Sequence, residues 1–180
     1  MKNFRNSMVD NVTKNIKKMV DENEQGNPYT KIVPSIVKKG IDNVNLGMFD
    51  DVTRNGLLNA AGDEFFKRGD FVQSVKAYLL TKNVDKLNTI GDEFSNRGQF
   101  NQAVEVYSLA YNFSQDKHKL TVCGDKCLNE SHLSDALRAY AILKDEARLV
   151  KLGEVCLEKE KVDVAIEVFA ILNNHEKLIK

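Results

Sequence analysis

The chain has 180 residues, 42% of them hydrophobic, enough for one domain or a short array of repeats around a real core. Its 26 basic and 26 acidic residues balance, which argues against a protein that grips nucleic acid through an excess of Lys and Arg. Three cysteines at irregular spacing do not make a disulfide framework, and an odd count fits a reducing compartment.

Residues 1–25 read as an amphipathic helix with Phe4, Met8, Val12, Ile16 and Met19 on one stripe, ended by Gly26-Asn27-Pro28. Its start carries Lys2, Arg5, Lys14, Lys17 and Lys18 against Asp10 alone. Such a helix can lie on an anionic membrane; the expected arrangement is packing of its stripe on the protein's own helices. No apolar run approaches the ~20 residues that span a bilayer, and the N-terminus lacks the features of a secretory signal. The expected location is cytoplasmic. A second helix is predicted over 31–45, with Ile32, Val33, Ile36, Val37, Ile41 and Val44 apolar and Pro34 tolerated near its start. Gly47 stops it, and a longer helix follows over 50–67. Residues 1–49 thus form an N-terminal helical region, either a capping pair or a degenerate repeat, ahead of residues 50–180.

From there the sequence repeats. Four segments align on Gly62, Gly91, Gly124 and Gly153, at intervals of 29, 33 and 29 residues. The longer interval adds four residues, close to one helical turn of about 3.6, so it lengthens a helix with little rotation of its apolar stripe. Each unit reads as two helices. Leu87, Ile90, Gly91 and Phe94 share one face of a first helix, and Ala103, Tyr107 and Ala110 share one face of a second. Asn83, Asp116, Asp145 and Asn174 are predicted N-caps of first helices, and Asn101, Ser134 and Asp163 of second helices. Gly69 and Gly98 are predicted left-handed C-caps. A glycine within a helix costs about 1 kcal/mol against alanine. The expected compensation is close approach of the paired helix, with Ala103, Ala136 and Ala165 facing the gap. Tyr78, Tyr107, Tyr140 and Phe169 are expected to fill the space between units.

This pattern resembles the tetratricopeptide repeat: a large residue, Leu-Gly, an aromatic, a small residue, an aromatic, a small residue. It stands here as Leu87, Ile90-Gly91, Phe94, Ala103, Tyr107 and Ala110, with leucine in place of the first aromatic. Leu120, Cys123-Gly124, Cys127, Ala136 and Tyr140 follow it, as do Leu149, Leu152-Gly153, Cys156, Ala165 and Phe169. In the first unit Ser74 replaces the alanine. The resemblance covers residues 57–180 and implies an all-α, right-handed α-solenoid of antiparallel helix pairs. The family's closing proline is missing, and most units are shorter than usual; short units of this kind are similar to solenoids of coat and transport complexes. Leu178 takes the register of Leu149, so the chain is expected to stop inside the first helix of a fifth unit, as a piece of a longer array would.

No phosphate-binding loop, nucleophile elbow or paired-histidine motif occurs, so no catalytic activity, cofactor or metal site is expected. Cys123 and Cys127 lie one turn apart with His132 beyond, but all three cysteines occupy apolar registers, which suits core packing. The candidate binding surface is an acidic column directly after each glycine: Asp63, Asp92, Asp125 and Glu154, with Asn88 and Asn96 one turn either side of Asp92. In the resembled family this register lines the concave groove. Carboxylates there would favour a basic peptide or helix. They could equally be the solvated face of amphipathic helices. The expected function is a non-enzymatic protein–protein interaction scaffold. An RNA-binding helical repeat, which would want a basic groove, and a regulatory domain of a larger protein are the alternatives.

Overall fold

The computed structural model describes residues 29 and 31–178, with side chains to residue 173. The helix predicted over 1–25 and its stop lie outside the described residues. All regular structure among the described residues is helical. It falls into two compact units, one up to Thr81 and one from Lys82.

In the first unit α1 spans Val33–Lys39 and a 3₁₀ turn spans Ile41–Asn43. The predicted helix over 31–45 is thus broken at Gly40, whose φ of 81° is open to glycine and poor for other residues. Pro34 sits in the first turn, where no N–H is missed. Helix α2 (Asp51–Lys67) opens on Asp50, which accepts from the Thr53 N–H at 3.0 Å. Helix α3 (Phe71–Thr81) opens on Asp70, which accepts from the Gln73 N–H at 3.2 Å. Helices α2 and α3 form an antiparallel hairpin: Ser74 meets Gly62, Tyr78 meets Asp63 and Thr81 meets Asn59. Ile36, Leu57, Ala61, Phe65 and Ala77 lie in the unit's core. The Gln73 side chain accepts the Ile41 N–H at 2.7 Å, tying the N-terminal region to the first hairpin.

The second unit holds three hairpins: α4 (Val84–Asn96) with α5 (Phe100–Ser114), α6 (His118–Asn129) with α7 (Leu133–Leu143), and α8 (Glu146–Glu158) with α9 (Val162–Leu178). They pack in chain order, α5 against α6 and α7, and α7 against α8 and α9. One continuous core runs through them from Phe100 and Val104 to Ala165 and Val168. The four extra residues in the 33-residue interval fall in α5, which has 15 residues where α3 and α7 have 11.

The turn within each hairpin recurs at one register. Gly69 and Gly98 take φ of 75° and 71°, as predicted for left-handed caps, and Ser131 and Glu160 take φ of 65° and 57° in the same place. Asn83 and Asp145 cap as expected, accepting from the Lys86 and Arg148 N–H groups. Asp116 accepts from the His118 N–H beside Lys117, the N-cap residue. The predicted caps Asn101, Ser134 and Asp163 are corrected: the second helices begin one residue earlier, at Phe100, Leu133 and Val162. The start is fixed by the left-handed residue two positions before, and by burial of Phe100 and Leu133. Asn174 does not stand before a helix start either, because the backbone of α9 runs through it to Leu178.

The glycines have a sharper role than expected. A Cβ on Gly62, Gly91 or Gly124 would stand 2.5–2.7 Å from the ring of Tyr78, Tyr107 or Tyr140, and one on Gly153 would stand 2.8 Å from Phe169. The aromatics therefore lie on the glycines of their own hairpins, and Tyr107 and Tyr140 also belong to the core that runs between hairpins. Any side chain there would displace the ring, buried for the three tyrosines and exposed for Phe169, or part the helices. The alanine register also reaches the glycine backbone: Ser74, in that place, is fully buried and donates to the Gly62 carbonyl at 2.9 Å.

Candidate functional site

The register after each glycine was expected to present bare carboxylates. In the structure three of these groups, Asp63, Asp92 and Asp125, receive tyrosine hydroxyls. With each ring laid on a glycine, its hydroxyl reaches the next side chain on the same helix. Tyr78 donates to Asp63 at 2.7 Å, Tyr107 to Asp92 at 2.6 Å and Tyr140 to Asp125 at 2.8 Å. In the second unit a cation from the following first helix completes the group. Lys119 of α6 binds both Asp92 oxygens at 2.7 and 2.8 Å. Arg148 of α8 binds Asp125 at 3.0 and 3.4 Å while its other arm holds Asp145 at 2.8 Å. Lys126 adds a bond to the Ser95 carbonyl at 2.9 Å. These bonds join first helix to first helix, α4 to α6 and α6 to α8.

The electrostatics follow the geometry. Burial acts to raise the Asp92 carboxyl, but hydrogen bonds from Lys119 and Tyr107 and the lysine charge outweigh it and hold it below 3.8. Burial and the adjacent carboxylate push the Tyr78, Tyr107 and Tyr140 phenols well above 10.0. Hydrogen bonds to Asp125 and Asp145 raise the Arg148 guanidinium further. Asp92 and Asp125 are therefore members of a neutralised ladder between hairpins, not free anions.

The other candidate residues divide. Asn88 is half-buried in mid-α4 and Asn96 is exposed at its end. Glu154 on α8 is exposed, and its hairpin carries Phe169, which has no hydroxyl to offer. Asp63 belongs to the first unit and is half-buried.

Beside the ladder, α6, α7 and α8 enclose a cleft of about 470 Å³ lined by Asp125, Leu128, Asn129, Tyr140, Ala147, Arg148 and Lys151. The hydrogen-bonded Tyr140–Asp125–Arg148 group forms part of its lining. Leu128 offers apolar surface, and Asn129 and the exposed Lys151 offer hydrogen bonds. Sequence reasoning named only Asp125 here. Asn129 was within reach, since it holds the register of Asn96 in the next unit. Lys119 and Arg148 were also within reach, each holding the fifth place before its unit's glycine.

Cys123, Cys127 and Cys156 are buried in the core. The hydrogen bond to Cys123, together with burial, pushes the Cys127 thiol up. His132 packs against Phe100 with ring centroids 4.7 Å apart and ring planes tilted by 55°. Among the described residues no group of three or more His, Cys, Asp or Glu side chains is placed to hold a metal ion. No described helix is long and apolar enough to cross a membrane.

No protein-family model matches the chain, and comparison with curated proteins finds no match.

Proposed function

We propose that the chain is a non-enzymatic interaction scaffold, a tetratricopeptide-like α-solenoid that binds a peptide or helix of another protein along its first helices. The observation that carries this reading is the cleft between α6 and α8, where apolar, amide and cationic groups converge beside the hydrogen-bonded Tyr140–Asp125–Arg148 group. Pre-organised sites of this kind lose little freedom on binding. The Gly-aromatic contact repeated in four hairpins supports the tetratricopeptide-like arrangement.

The cleft also reshapes the ligand. A basic segment was the expectation from four free carboxylates, but Asp92 and Asp125 already hold Lys119 and Arg148. The segment that suits the cleft is extended, with an apolar side chain against Leu128, backbone groups for Asn129 and a carboxylate for Lys151. The test begins with the protein that the intact chain retains from its native source. Its affinity is then measured by calorimetry for wild type, Asn129→Ala and Lys151→Glu. Each variant should weaken binding about tenfold, as loss of a hydrogen bond to a charged or amide group does. Unchanged affinity in both would remove the cleft from the site.

A further inference from the structure

The second unit has two grooves between successive first helices, α4/α6 and α6/α8, and equivalent positions in them hold different residues. In the first groove Lys126 of α6 crosses to α4. Its ammonium donates to the Ser95 carbonyl at 2.9 Å and lies 5.3 Å from the centre of the Phe100 ring. In the second groove the register of Lys126 holds Val155, which has no donor and packs against the core. The register of Ser95, which is buried, holds Leu128, half-buried and lining the cleft. The facing register, six residues before the glycine, is His118 in the first groove and Ala147 in the second, where Ala147 is exposed on the cleft wall. A crossing cation and an imidazole are thus replaced by two small apolar side chains, and the cleft of about 470 Å³ lies where they are missing.

The first unit shows what lies against that facing register when a side chain covers it. Six residues before Gly62 is Gly56, the counterpart of Ala147. The phenol of Tyr29, brought by the segment before α1, rests on Gly56 so closely that a Cβ would have no room. Tyr29 is half-buried and packs against the unit's core. A flat ring suits a small residue on a helix, and the same solution closes all four hairpins at Tyr78, Tyr107, Tyr140 and Phe169. The cleft supplies a second reason for a ring. Arg148 lines it, and Asp125 and Asp145 hold its guanidinium at 3.0 and 2.8 Å. A planar, delocalised cation fixed in place attracts an aromatic face, a gain that an aliphatic side chain does not have.

We propose that the cleft takes an aromatic side chain of the bound segment, seated over Ala147 between Leu128 and Arg148, with a carboxylate of the same segment on Lys151. Ala147 and Val155 are the specificity-determining residues, because they keep this groove open where His118 and Lys126 occupy the other. The proposal rests on the reading of the cleft as the binding site and adds which side chain it selects.

N-acetyl-phenylalanine carries a ring, an amide and a carboxylate in one small probe, and N-acetyl-leucine differs from it only in the side chain. Each is titrated into the full chain and followed by the methyl NMR signals of Leu128 and Ala147. N-acetyl-phenylalanine should shift both signals saturably, with a dissociation constant on the order of 1 mM for a ligand of its size. N-acetyl-leucine should bind about tenfold more weakly, for want of the cation–π contact. Ala147→His, at an exposed position, should leave the helical circular dichroism unchanged and abolish the shift at Leu128. Equal affinity for the two probes, no saturable shift at Leu128, or an unaltered shift in Ala147→His overturns the aromatic seat. The outcome is separable from the partner test. A retained protein that needs Asn129 and Lys151 while the probes do not discriminate leaves the cleft as the site and removes the ring. Probes that discriminate while the retained protein ignores Asn129→Ala and Lys151→Glu keep the seat and remove that protein's use of it.

Discussion

Hairpins α6/α7 and α8/α9 share a register, and two of the positions at which they differ are the ring over the glycine and the acid after it. In the first, Tyr140 lies on Gly124 and hands its hydroxyl to Asp125, which Arg148 of the next hairpin then binds. In the second, Phe169 lies on Gly153 in the same way and ends in a hydrogen, and Glu154 stays exposed. The comparison separates two jobs that the repeat merges elsewhere. The glycine–ring contact closes a hairpin, and the hydroxyl–carboxylate–cation group fastens one hairpin to the next.

The largest way to break the comparison is to attack the shared contact. Tyr107→Ala should cost about 3–5 kcal/mol in denaturant unfolding, as large-to-small aromatic changes in cores do. Gly91→Ala should cost about 1–3 kcal/mol through overpacking against the same ring, and Gly153→Ala should cost less, because the Phe169 ring is exposed and can give way. Because the Gly91 Cβ and the Tyr107 ring compete for one space, the double variant Gly91→Ala/Tyr107→Ala should be less destabilised than the sum of the two. Strict additivity would mean that the ring does not rest on the glycine.

A smaller effect sharpens the difference between the hairpins. Tyr140→Phe makes α6/α7 resemble α8/α9 and should cost about 1–2 kcal/mol, since Asp125 loses a donor but keeps Arg148. The reciprocal Phe169→Tyr should move stability by less than about 0.5 kcal/mol, because Glu154 is solvated and gains little from another donor. Equal and opposite effects would show that the ladder needs no neighbouring hairpin.

The smallest expected effect is in the pH profile. Asp92 and Asp145 have carboxyls lowered from 3.8, so their contribution is present above that pH and is lost as pH falls through the lowered values. Tyr78, Tyr107 and Tyr140 are raised from 10.0, so their contribution is intact below pH 10 and is lost as pH rises beyond it. The melting temperature should therefore be flat between these limits and fall on both sides. Asp92→Asn should shallow the acid limb, and Tyr107→Phe the alkaline one. An ultraviolet titration with all tyrosines ionising near 10 would contradict the buried hydroxyls.

The helix pairs, the place of the inserted turn and the left-handed residues at Gly69 and Gly98 were legible in the chain, because each follows from local spacing or backbone freedom. Second-helix starts were less so. Asn101, Ser134 and Asp163 have good capping chemistry, but the turn before them and the burial of Phe100 and Leu133 set the start first. The acidic column was visible as residues and invisible as charge. Asp92 meets its cation 27 residues later and Asp125 meets its own 23 later, a pairing that exists only once hairpins stack.

By itself the sequence determined the repeat, its register and its glycines, since a ring can lie on a helix only where a side chain is missing. Tertiary structure alone decided what the polar residues do. A carboxylate is an open anion or a closed link according to whether the next hairpin brings a cation within reach, and Asp125 and Glu154 differ on that point.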